Sequence, residues 1–203
     1  MDESDRLEKD PVCGMMVDHL QNQIMFRGVS YAFCSQQCRE RFAAAPGLYV
    51  GRRRLLAPKQ KGMEVIKRRR LALGSPLAKS GFDGLRGALL SMMGVMAVRP
   101  VETLVERSCD LLLLESATRA TVCIEAVEIS YDLLQVTAEQ LERKITEHHA
   151  PPSDGWGEKL QRDFIRYLEK CELDDLEIRD TGLARCARRA RRSALGFARD
   201  ARD

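Results

Sequence analysis

The sequence predicts an α+β protein in two parts, and three observations carry that expectation. Three cysteines, Cys13, Cys34 and Cys38, fall within the first fifty residues. The texture of the chain changes near residue 50, where an arginine-rich stretch interrupts any regular periodicity. Beyond it, apolar periodicities follow in the order strand, helix, two strands, helix. The 203 residues have room for one or two ordinary domains. The predicted division is a small cysteine-rich domain at 1–50, a basic linker at 51–62, an antiparallel sheet with helices at 63–152, and amphipathic and arginine-rich helices at 153–203.

Composition narrows the class. An apolar fraction of 44% beside 31% charged residues can build a core, while no apolar run approaches the roughly 18 residues that a membrane span needs. The first nine residues are acidic and polar, unlike a secretory leader, so a cytoplasmic location without a transmembrane segment is expected. Seven cysteines in a reducing compartment point to thiols that bind metal, do redox work or pack as small apolar groups, more than to a disulfide framework. The net charge of +3 implies no partner by itself. Its positive residues are clustered, however, at Arg52 to Arg54, at Lys67 to Arg70 and between Arg185 and Arg192, so local fields can matter where the average does not.

Within the first domain, Asp10-Pro11-Val12-Cys13-Gly14-Met15 reads as a tight turn, because Pro11 fixes its own φ and Gly14 tolerates a positive one. Such a knuckle lifts the Cys13 sulfur clear of the backbone. Residues 24–26 and 29–34 read as short strands joined at Arg27-Gly28, with Val29, Tyr31 and Phe33 alternating onto one face and Cys34 at the strand end. Ser35 is a good N-cap for a helix running to about Ala44. Cys38 then lies in its first turn, where free amide groups favour a thiolate. About fifty residues seldom bury enough apolar surface to be stable alone, and an ion held by thiolates supplies the missing free energy. Three sulfurs leave a tetrahedral ion one ligand short, and His19, Asp18, Met15, Met16, a water or a partner's side chain are candidates for the remaining place. Thiolates with thioether neighbours suit a soft transition-metal ion, Cu(I) or Zn²⁺.

These residues also carry a resemblance. Asp10-Pro11-Val12-Cys13-Gly14-Met15, then Tyr31-Ala32-Phe33-Cys34-Ser35, Cys38, Phe42, Pro46 and Tyr49, resemble a YHS domain of the TRASH-like metal-binding group over residues 9–50. The resemblance implies heavy-metal binding, with Cys13, Cys34 and Cys38 as the expected metal ligands. It also implies partnership with a metal-transporting P-type ATPase or another metal-handling protein.

In the second domain residues 65–73 read as a strand, and Gly74-Ser75-Pro76 as a turn. Phe82, Leu85, Leu89, Met92 and Met96 recur at helical spacing. Strand-like stretches follow, the most apolar part of the first at Leu111 to Leu114 and the second at residues 121–131, whose alternation changes phase near Glu125 to Val127 as a bulge would make it. Thr137 with Gln140 forms a capping box for a helix carrying Leu141, Ile145 and His148, which Pro151-Pro152 ends. This order predicts a ferredoxin-like α/β sandwich. Residues 63–150 are similar in order and pattern to a heavy-metal-associated domain, the copper-chaperone fold. That family binds metal through two cysteines in the loop after its first strand, and here residues 74–81 contain none, so docking or dimerisation is the use the resemblance leaves. Cys109 and Cys123 are expected in the core.

In the C-terminal region Leu160, Phe164, Leu168 and Cys171 mark an amphipathic helix whose stripe should pack on the second domain. Leu183, Ala187, Ala190, Ala194 and Phe197 mark a second helix, whose other faces carry arginines. Taken together, the chain reads as a non-enzymatic cytoplasmic protein that binds copper or zinc for trafficking, buffering or delivery to a transporter. No nucleophile with its base, phosphate loop or working carboxylate pair argues for an enzyme. The alternatives are a metal-responsive regulator that binds nucleic acid through the arginine-rich tail, and an interaction module with a purely structural zinc.

Overall fold

A computed structural model of the chain describes residues 7–51, 55–105 and 121–180. It is α+β and divides into two compact units. The first holds the described residues up to Glu64 together with those from Tyr167, and the second spans Val65–Arg166.

The first unit opens with two small hairpins. Strands β1 (Leu7–Lys9) and β2 (Met16–Asp18) pair antiparallel, as do β3 (Ile24–Phe26) and β4 (Val29–Tyr31). The turn between β3 and β4 falls at Arg27-Gly28, as the sequence predicts. Both residues take positive φ, 55° and 80°, the geometry of a two-residue turn that matches the twist of a hairpin. Strand β4 stops at Tyr31, three residues earlier than expected, and Val29 is exposed, so the predicted face of Val29, Tyr31 and Phe33 is not a single buried one. Helix α1 (Gln36–Ala44) begins at Ser35 as expected. Its Phe42 is the centre of the unit's core. The ring lies 5.0 Å from that of Phe33, 5.2 Å from Tyr31, 5.7 Å from Phe26 in a T-shaped contact, and 6.0 Å from Tyr49. Such contacts add about 0.5–1.5 kcal/mol per pair beyond the burial itself, which counts for much in a core this small.

The second unit is a three-stranded antiparallel sheet of β5 (Ile66–Leu77), β6 (Val95–Val105) and β7 (Thr121–Asp132), in the order β5-β7-β6. Helices α2 (Lys79–Leu90) and α3 (Ala138–Glu147) connect and follow these strands. Strand β5 runs through Gly74-Ser75-Pro76, where the sequence reading placed a turn. The pairing with β7 shifts register there, and Gly74 donates instead to the Pro151 carbonyl at 2.7 Å, beside a bridge between Leu73 and Pro152. Helix α2 buries Phe82, Leu85 and Leu89 but ends at Leu90. Met92 and Met93 therefore lie in the turn to β6, and Met96 is exposed on that strand, which corrects the longer helical stripe. Gly94 takes φ 89° in this turn, and a Cβ there would meet that of Gln135 at 2.5 Å, so the position admits only glycine without a shift.

The predicted bulge in β7 is present. Val101 and Ala72 face Ala126, whereas Glu102 and Leu77 face Ile124, which leaves Glu125 as the extra residue. The capping box is present too, with Thr137 Oγ1 accepting from Gln140 N and Gln140 Oε1 accepting from Thr137 N. Leu141 and Ile145 are buried, while His148 ends the helix in solvent. Leu111 to Leu114, Cys109 and the residues beyond 180 lie outside the described residues, and Cys123 is half-buried.

Two features depart from the sequence reading. Arg69 belongs to a basic run but points inward from β5, where its Nη2 donates to Glu142 Oε1 at 2.6 Å. Arg162 and Arg166 reach the other oxygen of the same carboxylate. The basic run is thus partly structural rather than a free surface field. The second departure concerns α4 (Trp156–Asp180), whose first residues belong to the second unit and whose residues from Tyr167 belong to the first. Its predicted packing stripe of Leu160, Phe164, Leu168 and Cys171 is exposed. Among the described residues of the helix, Glu169 and Leu173 are buried instead.

Because Arg69 and Glu142 are both nearly fully buried, removing one partner leaves the other's charge without compensation. Glu142→Ala is expected to lower the stability of the second unit by about 3–5 kcal/mol, read from denaturant unfolding. A loss below about 1 kcal/mol would mean that the ion pairs do not hold β5, α3 and the start of α4 together.

Candidate metal centre

The site begins with the hairpin β1–β2. Its last register pair, Lys9 with Met16, leaves a six-residue loop, Asp10 to Met15. That loop is closed by two backbone bonds of 2.8 Å, from Asp10 N to Met15 O and from Gly14 N to Asp10 O. Gly14 takes φ 81°, the conformation for which the sequence offers glycine. Inside the loop, Asp10 Oδ1 accepts from Val12 N at 2.8 Å and from Cys13 N at 3.4 Å. These bonds hold the knuckle in shape and raise Cys13 at its crest.

The same carboxylate reaches across the unit. Asp10 Oδ2 accepts from Cys34 N at 2.9 Å, and Asp10 is fully buried. One side chain therefore ties the Cys13 knuckle to the chain leaving β4. Next along the chain, Ser35 caps α1 in an extended conformation, and its Oγ accepts from Cys38 N at 3.3 Å. The cap fixes Cys38 in the first helical turn, facing back towards Cys34.

The result is a cluster of sulfurs. Cys13 Sγ lies 3.4 Å from Cys34 Sγ, which lies 3.6 Å from Cys38 Sγ. One ligand atom from each of Asp10, Cys13, Cys34 and Cys38 falls within 4.8 Å of all the others. A tetrahedral ion about 2.3 Å from each of two sulfurs holds them about 3.8 Å apart, so the spacing fits such an ion with shifts of a few tenths of an ångström. The cluster could hold a metal ion, and the chemistry of its donors suits a soft one.

The thiols differ in acidity. The Cys13 thiol is lowered to about 7, chiefly because Cys38 donates a hydrogen bond to it, with the backbone at Met15 and the Cys34 side chain helping. Cys38 is raised by that same donation and then by burial, and Cys34 is pushed up to about 11 mainly by burial. The negative charge of Asp10 opposes ionisation at Cys13 and Cys38. Of the three, Cys13 is thus the thiol that gives up its proton first. A bound ion would displace the remaining protons, as thiolate ligation requires.

All three cysteines singled out in the sequence meet in this cluster. His19 and Asp18, candidates for a fourth ligand, are not part of it; they lie 3.5 Å from each other and are about half exposed. Met15 and Met16, 48% and 58% exposed, follow the knuckle. Sequence reasoning missed Asp10 as the residue that organises the site. The available signal was an aspartate followed by proline at the mouth of a turn, a residue suited to bonding the amides that follow it.

Residues 8–53 match the family model of the YHS domain, a stretch that contains the whole cluster. Comparison with curated proteins and with solved structures finds no match.

Two outcomes follow from this geometry. In the metal-free, reduced protein, iodoacetamide should modify Cys13 first. Its rate should rise through a midpoint near pH 7, because a lowered pKa puts the thiolate on the alkaline side of that value. Cys34 should stay slow until the pH nears 11. Peptide mass mapping across pH reads both, and equal rates at Cys13 and Cys34 near pH 7 would contradict the arrangement. Asp10→Asn replaces one acceptor oxygen by a donor, so the bond from Cys34 N or those from Val12 and Cys13 must be lost. Metal affinity, measured against a competing chromogenic chelator, is expected to fall roughly 10- to 100-fold, as for other groups that orient ligands. An unchanged affinity would show that the clamp does not shape the site.

Proposed function

We propose that this protein binds one soft transition-metal ion, Cu(I) or Zn²⁺, through Cys13, Cys34 and Cys38, and passes it on or buffers it without catalysing a reaction. The observation that carries the reading is the convergence of three sulfurs from a knuckle, a strand exit and a helix start on one point. The YHS match over residues 8–53 supports it. Asp10 accepts three amide N–H groups and serves the site best as a clamp. The fourth position is then left to a water, to Met15, Met16 or His19 after a local shift, or to a partner's side chain. Cys13 and Cys34 are only part-buried, which gives an incoming ligand a route to the ion before the first three let go. Stepwise ligand exchange with a metal-transporting P-type ATPase or another metal-handling protein is the mechanism this reading implies.

The second unit suits a presenting or docking role in the same scheme. The strand order β5-β7-β6, the helices between and after the strands, and the bridge from Leu73 to Pro152 support a ferredoxin-like arrangement related to heavy-metal-associated domains. The turn from β5 into α2 carries no cysteine, so metal chemistry rests with the first unit. A cytoplasmic setting fits the reduced thiols; among the described residues no helix is long and apolar enough to cross a membrane. One observation favours a second reading, a structural zinc: Cys38 is fully buried.

Native mass spectrometry of the anaerobically purified protein tests the binding. One ion per chain is expected, lost in Cys34→Ala and kept in Cys123→Ala; no ion, or the same stoichiometry in Cys34→Ala, would sink the proposal. Chelator competition separates the two readings. Exchange with the first unit still folded supports handling, whereas release only on unfolding supports structural zinc.

A further inference from the structure

A cavity of about 280 Å³ opens within the second unit, between the edge strand β5 and the first turns of α4. Arg69, Arg70, Glu158, Gln161 and Arg162 give it a polar lining. Arg69 is 5% exposed, and of its guanidinium only Nη2 is matched, by Glu142 Oε1. Its Nε and Nη1 are buried and meet no acceptor among the described residues. Glu158 Oε2, in the same cavity, is likewise buried without a donor. Buried donors and acceptors in folded proteins are almost always satisfied, so two kinds of orphan facing one cavity point to something that meets both.

The charges around the cavity are also uneven. Glu142 meets Arg69, Arg162 and Arg166 at once, and Arg166 has Asp163 as well, at 3.5 Å. Arg162 is otherwise held by the carbonyl of Ser153, which brings no charge. Glu128, opposite Arg70 in the sheet register, is engaged by Arg68 at 3.6 Å. Setting Arg69, Arg70 and Arg162 against Glu142 and Glu158 leaves one positive charge over. Water can meet an orphaned nitrogen, but it does not supply that charge.

We propose that this cavity binds a small oxyanion that keeps a hydroxyl proton, of which hydrogen phosphate is the simplest. Its oxygens accept from the unmatched nitrogens of Arg69 and from Arg70 and Arg162, the charge-assisted bonds that guanidinium groups make best. Its hydroxyl donates to Glu158 Oε2. The carboxylate is what makes the site selective, because an oxyanion without a proton would set acceptor against acceptor and charge against like charge. Phosphate retains a hydroxyl at neutral pH, whereas sulfate, of nearly the same size, does not. The space beyond the ion is left to water, at about 30 Å³ for each molecule.

Calorimetric titration of inorganic phosphate and of sulfate into the reduced full-length protein tests the assignment. One phosphate per chain is expected, with sulfate bound roughly tenfold more weakly or worse. Glu158→Gln offers the cavity a donor beside an acceptor, so sulfate should gain roughly tenfold while phosphate changes little. Arg69→Lys keeps a cation for Glu142 but removes Nε and Nη1, and Arg70→Gln changes an exposed side chain; each should weaken phosphate roughly tenfold. Absence of phosphate binding overturns the proposal. Equal affinity for the two anions that Glu158→Gln does not alter means an adventitious ion only, and overturns it too. So does phosphate binding that survives both arginine changes, the result expected if the arginines between Arg185 and Arg192 attract the anion instead.

Discussion

The buried carboxylate of Asp10 is the constraint on which the first unit depends. It accepts from Val12 and Cys13 on one side and from Cys34 on the other. These bonds join the knuckle to the strand exit, beside the contact of Cys13 Sγ with Cys34 Sγ. A buried ionised carboxylate is costly unless it is well bonded, and three amide donors offset that cost. The position of the sulfurs is therefore set by backbone amides, which do not change partner when a ligand arrives. A site assembled in this way is shaped before it is filled.

The shape has an electrostatic consequence. Asp10 brings a fixed negative charge beside three groups that must become negative to hold an ion. It opposes the ionisation of Cys13 and Cys38, and burial opposes that of Cys34 and Cys38. The mutual hydrogen bond of Cys13 and Cys38 lets one charge exist cheaply by sharing a proton. Beyond that first charge, each further thiolate needs a cation. A metal ion would compete with protons for the same sulfurs, so its affinity would fall as pH falls, most of all at Cys38, the most buried of the three.

Much of the fold was legible because its signals are local. Arg27-Gly28, the Ser35 cap, the Thr137–Gln140 box and the phase change at Glu125 each depend on residues within a few positions, and each is found in the structure. What was not legible depends on distance along the chain. The bond from Cys34 N to Asp10 spans 24 residues and the Arg69–Glu142 pair 73. Periodicity placed Arg69 in a basic run and left its burial unseen. The stripe of α4 shows the reverse error. An amphipathic pattern says which face of a helix is apolar, but it does not say that the face is buried, and Leu160, Phe164 and Leu168 are exposed.

Two buried charged side chains, Arg69 and Asp10, make the sulfur cluster chemically informative by contrast. Arg69 meets Glu142, so its charge is answered within the chain. Asp10 meets three amides, so its charge is answered too. The three sulfurs meet one another, and thiols are weak as hydrogen-bond donors and weak as acceptors. Close-packed apolar side chains would fill the same volume at lower cost, as Val12 and Phe33 do nearby in the sequence. Three cysteines held together by a dedicated carboxylate and a helix cap are thus poorly explained by packing. They are well explained by an ion that turns three weak donors into three strong ligands.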